Sequence, residues 1–198
     1  MLVTTGAGTS ANIITIAWGG VVNGSPPMVG IAVRRERHSY RLLCETREFV
    51  VNVPRVDQAR IVDLAGTESG RDVDKFAVCG LTEVAATHVS PPLIEECPVN
   101  LECAVRHQLE LGSHDLFIGE VLAVHYDEQV LDQKGRVRAD ALQPLTYMEG
   151  QYWSLREPVG RHGFSAQAAG RRARSAASGV AGARAAAAEA PKETADKS

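Results

Sequence analysis

The chain has 198 residues, a net charge of −3, 44% hydrophobic residues and only 5% aromatic ones. That length suits one domain with an appendage and can bury a sizeable core. There is no basic stripe of the kind a nucleic-acid binder carries, and no apolar run of about 18 residues that would cross a membrane as a helix.

In chain order, Leu2–Thr5 reads as a strand, Gly6–Ser10 as a turn, and Asn12–Trp18 as a second strand rich in β-branched residues. Together they predict a hairpin. The run Gly6-Ala7-Gly8-Thr9-Ser10-Ala11 matches a dinucleotide fingerprint, but that motif needs a helix next. Ile13, Ile14, Thr15 and Ile16 follow instead, and their branched side chains favour a strand. Asn23–Pro27 is a turn and Met28–Val33 a third strand. Arg37–Thr46 carries Tyr40, Leu43 and Cys44 at helical spacing, with Ser39 in the first turn. Phe49–Val53 is a strand stopped by Pro54, Val56–Leu64 a short helix, and Asp72–Val78 one or two helical turns. Val99–Leu111 and Leu116–Tyr126 alternate as an antiparallel pair joined at Gly112–Asp115, and Gln143–Trp153 is a last extended segment. The pattern is mainly β with a few helices and lacks regular βαβ alternation, which argues for an antiparallel, Greek-key-like barrel.

From Ser165 the composition changes: fourteen of the last 34 residues are alanine, and six Arg or Lys outnumber three Asp or Glu. Residues 1–164 are expected to form the folded domain and 165–198 a disordered tail, because so little apolar surface does not offset the entropy of ordering. The body left behind is acidic, which still allows one small phosphate pocket. The start lacks a basic segment followed by an apolar run, so no secretory leader is expected. Cys44, Cys79, Cys97 and Cys103 form no C-x-x-C pair and read as reduced thiols of a cytoplasmic protein.

Read without further context, Arg34, Arg35 and Arg37 are a solvated charge run, Lys75 a surface lysine, His114 a polar turn residue and Trp18 core filler. A succession of segments changes that reading. Asn12–Trp18, Pro26–Val29, Arg37-His38-Ser39-Tyr40, Glu48–Pro54, Asp74-Lys75-Phe76 and Leu145–Trp153 occur in this order. It resembles the flavin reductase-like (flavoredoxin) family over roughly residues 1–158. The resemblance implies a six-stranded antiparallel split β-barrel that dimerises and holds FMN near the subunit interface. It implies FMN contacts at Asn12, Trp18, Ser39, Lys75, His114 and Tyr147, with Thr15 a further candidate and one of Arg34 and Arg37 gripping the phosphate.

Those residue types make chemical sense: guanidinium groups and a helix N-terminus favour a phosphate. Lys75 would hold the phosphate or stabilise anionic reduced flavin. His114 and Tyr147 would stand at the reacting face, Tyr147 shielding the ring or admitting nicotinamide. The activity the resemblance implies is hydride transfer from NADH or NADPH to the flavin; no nucleophile triad or carboxylate dyad is evident, and that chemistry does not need one because the cofactor supplies it. An FMN electron carrier reduced by a partner protein is the alternative, and an enzyme of the pyridoxamine phosphate oxidase type a third reading that the motif order fits less well. Gly19-Gly20 departs from the bulkier residue usual after the tryptophan. The abrupt start in the first strand leads us to expect further residues upstream.

Overall fold

The computed structural model describes residues 1–166. The tail expected over 165–198 therefore lies almost wholly outside the described residues. Residues 1–155 form one compact unit, and the described residues 156–166 lie outside it.

The first unit is built on one seven-stranded sheet in which all neighbours are antiparallel. Its strands are β1 (Leu2–Thr5), β2 (Asn12–Thr15), β3 (Gly19–Gly24), β4 (Pro27–Val33), β5 (Glu48–Val53) and, after two short strands β6 (Glu83–Val84) and β7 (Leu93–Ile94), β8 (Val99–Glu110) and β9 (Asp115–Tyr126). The order is β2-β1-β5-β8-β9-β4-β3. Strands β2 and β3 are thus the two edges, yet only Ile16, Ala17 and Trp18 separate them. A flat sheet would hold its edges about 29 Å apart at the usual strand spacing. The linker reaches about 14 Å at full extension, so the sheet must curl until its edges meet. The hydrogen bonds agree: Ile16 N donates to Met1 O beside β1, while Ala32 N, in β4, donates to Trp18 O. With β2 and β3 taken as one bent strand, six strands close a barrel, the expected split β-barrel.

Alternation along the strands sorts the apolar residues onto two sides. Val3, Ile14, Ile31, Phe49, Val51, Cys103 and Phe117 fill one cluster inside the barrel. Their neighbours Leu2 and Ile13 turn the other way and pack with Val62, Ala65, Phe76, Ile94 and Cys97. That second cluster seats two helices against the barrel, α2 (Ala59–Thr67) and α3 (Lys75–Cys79). Helix α1 (His38–Thr46) follows β4 and buries Leu42 and Leu43.

Some elements depart from the sequence expectation. The segment Gly19–Gly24 forms an exposed edge strand although its glycines hide the strand pattern. The expected helix at Val56 opens as a 3₁₀ turn and then runs on to Thr67. A short helix α4 (Ala139–Leu142) went unforeseen. The extended segment after Gln143 folds back on itself as a hairpin, β10 (Leu145–Met148) with β11 (Gln151–Ser154). Glu149 and Gly150 both take positive φ and make the turn, a conformation glycine adopts without strain.

Candidate functional site

The N-terminus of α1 lies beside β2. Arg37 is the residue before the helix, and no side chain caps its first turn. Ser39, fully buried in that turn, accepts a hydrogen bond from Asn12 Nδ2 at 2.7 Å. The Ser39 hydroxyl hydrogen keeps no acceptor among the described residues. Lys75 is buried as well and donates to Ala65 O at 2.6 Å, which leaves two of its three donors without an acceptor among the described residues. Burial lowers its pKa to about 8, with the nearby Arg37 guanidinium pushing the same way. Asn12, Arg37, His38, Ser39, Glu68 and Lys75 surround a cavity of about 90 Å³. Gly70 closes one wall so tightly that a Cβ there would lie 2.0 Å from Asn12 Oδ1. Two cations and an uncapped helix end around a small volume make a place for an anion.

A second cavity, of about 490 Å³, lies on the other side of Gly66, which lines both. Its walls include Thr15, Ile16, Ala17, Val62, Tyr147 and Tyr152. Thr15 Oγ1 donates to Val62 O at 2.6 Å, so its oxygen can still accept. The β10–β11 hairpin forms one wall and is tied down by Leu145 N to Pro54 O and by Tyr152 OH to Asp63 Oδ1 at 3.0 Å. The Tyr147 and Tyr152 rings lie 5.3 Å apart. The volume and the mix of apolar walls with a few polar groups suit a flat organic ligand.

The remaining sequence candidates gather at a third place. Trp18 is 64% exposed and its ring lies 4.5 Å from that of His114. Arg34 Nε stands 3.3 Å from His114 Nε2, and Ser113 Oγ is 2.9 Å from Nδ1. Trp18 is thus not core filler. Arg35 turns to Glu110 and the buried Asp115. Of the three arginines after β4, Arg37 is the one that lines the small cavity.

A family model described as the flavin reductase like domain matches residues 1–156. The chain belongs to the flavin reductase-like family. An uncharacterized protein of Archaeoglobus fulgidus is 38% identical over 123 residues, which is 62% of this chain and 70% of the relative. The solved flavoredoxin of Desulfovibrio vulgaris (Miyazaki F) superposes with a TM-score of 0.78 at 32% identity, covering 84% of this chain and 90% of that one. An FMN-binding protein from Thermus thermophilus, solved with bound 1-cyclohex-2-enone, gives 0.71 at 27% identity, with 81% and 87% covered.

In this flavin reductase-like chain the nine sequence candidates therefore divide into three groups. Asn12, Arg37, Ser39 and Lys75 share the small cavity, Thr15 and Tyr147 the larger one, and Trp18, Arg34 and His114 an exposed cluster. The sequence reading did not single out Gly66, which lines both cavities, Gly70, which lines the small one, or the Tyr152–Asp63 tie. The available signal for Gly66 was a glycine just beyond the expected helix Val56–Leu64, and it falls in the last turn of α2.

Proposed function

We propose that this family member binds FMN and works as an NAD(P)H-dependent flavin reductase. The observation that carries the reading is the joining of a small polar cavity, lined by Arg37, Ser39 and Lys75 with Glu36 and Glu68 also at its walls, to a ring-sized one across Gly66. A flavin mononucleotide has this polarity: a phosphate near −2 at one end and a flat, largely apolar ring at the other. The donor set fits the phosphate. Ser39 offers a hydroxyl that Asn12 orients, Arg37 and Lys75 offer charge, and α1 offers its uncapped first turn.

When bound, FMN would supply the redox chemistry, with NADH or NADPH as the hydride source. The chain's own residues bind and orient. Asn12, Ser39, Arg37 and Lys75 hold the phosphate end, and Thr15 hydrogen-bonds the ring from β2. Tyr147 and the β10–β11 hairpin cover the ring and limit water. Trp18, Arg34 and His114 continue the surface from Ala17, which lines the larger cavity, to where a nicotinamide or electron acceptor approaches the flavin. A homodimer completes this exposed side: every residue of β3 is exposed, Val21 and Val22 among them.

The similarity to flavoredoxin favours a second reading, an FMN carrier reduced by a partner protein. One experiment separates the two. The protein is loaded with FMN without oxygen and mixed with NADPH or NADH while the visible spectrum is followed. Bleaching much faster than for free FMN is expected of the reductase. Retained flavin that neither nucleotide bleaches would establish the carrier, and a protein that does not take up FMN would remove both readings.

A further inference from the structure

His38 is the first residue of α1 and lines the same cavity as Arg37, Ser39 and Lys75. It also lines a neighbouring polar cavity of about 380 Å³ bounded by Gly8–Asn12 and Gly70–Asp74. It therefore stands at the mouth of the anion pocket with its ring half-buried. We propose that His38 is a further ligand of the phosphate, that it binds as the imidazolium, and that phosphate capture therefore takes up a proton. This rests on the flavin nucleotide reading above.

The surroundings of His38 decide its charge. Its own helix presents Arg41 and Glu45. The turn before it adds Glu36 and Arg37, and the segment from α2 to α3 adds Glu68, Arg71, Asp72, Asp74 and Lys75. Glu83 in β6 faces the outer cavity. Without a ligand, desolvation and then Arg41, Arg71 and Lys75 hold its pKa below the ordinary value, with only Glu45 opposing. The imidazole is then neutral at pH 7. A phosphate placed between Ser39, Arg37 and Lys75 reverses the sign of the local field. Of the cations that penalised a proton on His38, Lys75 lines the cavity and becomes a partner of the anion, and the imidazolium gains a charge-assisted hydrogen bond. The sign follows from linkage: a group whose pKa is higher in the complex adds affinity below its free pKa. That gain is lost as pH rises through the bound value. His38 thus opposes the phosphate's own titration, which weakens binding below about pH 6 as the dianion is protonated.

The test is the imidazole proton resonance of His38 in the full chain, assigned by its loss in His38→Gln and followed from pH 5 to 8.5. It is recorded alone and with inorganic phosphate, FMN or riboflavin. The inference expects the titration midpoint to rise by one unit or more with inorganic phosphate and with FMN, and to stay put with riboflavin. In parallel, His38→Gln should weaken FMN about tenfold at pH 5.5 and less than twofold at pH 8. A midpoint unmoved by bound FMN, or moved equally by riboflavin, would overturn the role of His38 while leaving the flavin reading intact. A shift with inorganic phosphate in a protein that binds neither flavin would keep His38 as an anion ligand and sink the flavin reading. No shift with any of the three would overturn the inference.

Discussion

Ser39 and Lys75 show how single residues carry the site. Asn12 is buried beside Ser39, and its Nδ2 finds its partner in the Ser39 oxygen. Ser39→Ala removes that acceptor and one phosphate donor at once. Leaving a buried donor unpaired costs about 1–3 kcal/mol, so urea denaturation should show a loss of that order. FMN affinity should fall by at least tenfold and riboflavin affinity hardly at all. Lys75 makes a pH-dependent contribution. Its pKa of about 8 in the free protein rises when a phosphate sits beside it, so its help to binding is full below pH 8. That help disappears as pH climbs through the higher bound value. Titration of FMN fluorescence should show affinity weakening between pH 8 and 10 in the wild type, and much less so in Lys75→Arg. Ser39 and Lys75 were legible as candidates through the family resemblance, although local pattern alone read Lys75 as a surface lysine. The choice between Arg34 and Arg37 was not, since it depends on which way each side chain leaves the end of β4.

Two segments are held in place by polar side-chain anchors. The β10–β11 hairpin is short and presents Tyr147, Met148 and Trp153 to solvent. Tyr152 holds it to α2 through Asp63, and burial followed by that hydrogen bond raises the phenol to about 12. Tyr152→Phe should speed amide exchange across Leu145–Ser154 while leaving the melting temperature within about 2 °C, because local opening is decoupled from global unfolding. Unchanged exchange would mean that the tie does not restrain the wall of the larger cavity. The segment Thr87–Val89 has a stronger anchor. Glu102, fully buried on β8, accepts from the amides of Thr87, His88 and Val89, from Thr87 Oγ1 and from His125 Nε2. Burial alone would raise its pKa, but these hydrogen bonds outweigh that and hold it at about 2. The pKa is lower than in the unfolded chain, so the stabilisation is present above the ordinary carboxylate range and is lost as pH falls from about 4.5 toward 2. Glu102→Gln keeps the shape but loses the charge and one acceptor. It should cost about 3 kcal/mol at pH 7 and flatten the acid limb of the stability profile, as thermal melts from pH 3 to 7 would show.

At the scale of the molecule, the strands were legible wherever β-branched residues alternate, as in β1, β2, β5, β8 and β9. Strand β3 was not, because Gly19, Gly20 and Gly24 give no such pattern and its partner, β4, is the element that fixes it. The barrel itself emerges only from pairing: no local signal says that Ile16 bonds beside β1 and Trp18 beside β4. Within that bent strand the β3 half pairs with β4 on one side only, and an unpaired side with apolar side chains invites a partner. Val21 is 81% exposed and Val22 about half, and they adjoin the surface that carries Trp18 and His114. In the proposed homodimer this surface is covered, and the flavin lies near the cover. Val21→Asp puts a charge on the strand without touching either cavity. Sedimentation equilibrium should then show a dimer for the wild type and a monomer for the variant, with FMN bound at least tenfold more weakly by the monomer. A monomer that keeps full affinity would show that one chain holds the cofactor alone, and a variant that stays dimeric would move the interface away from β3.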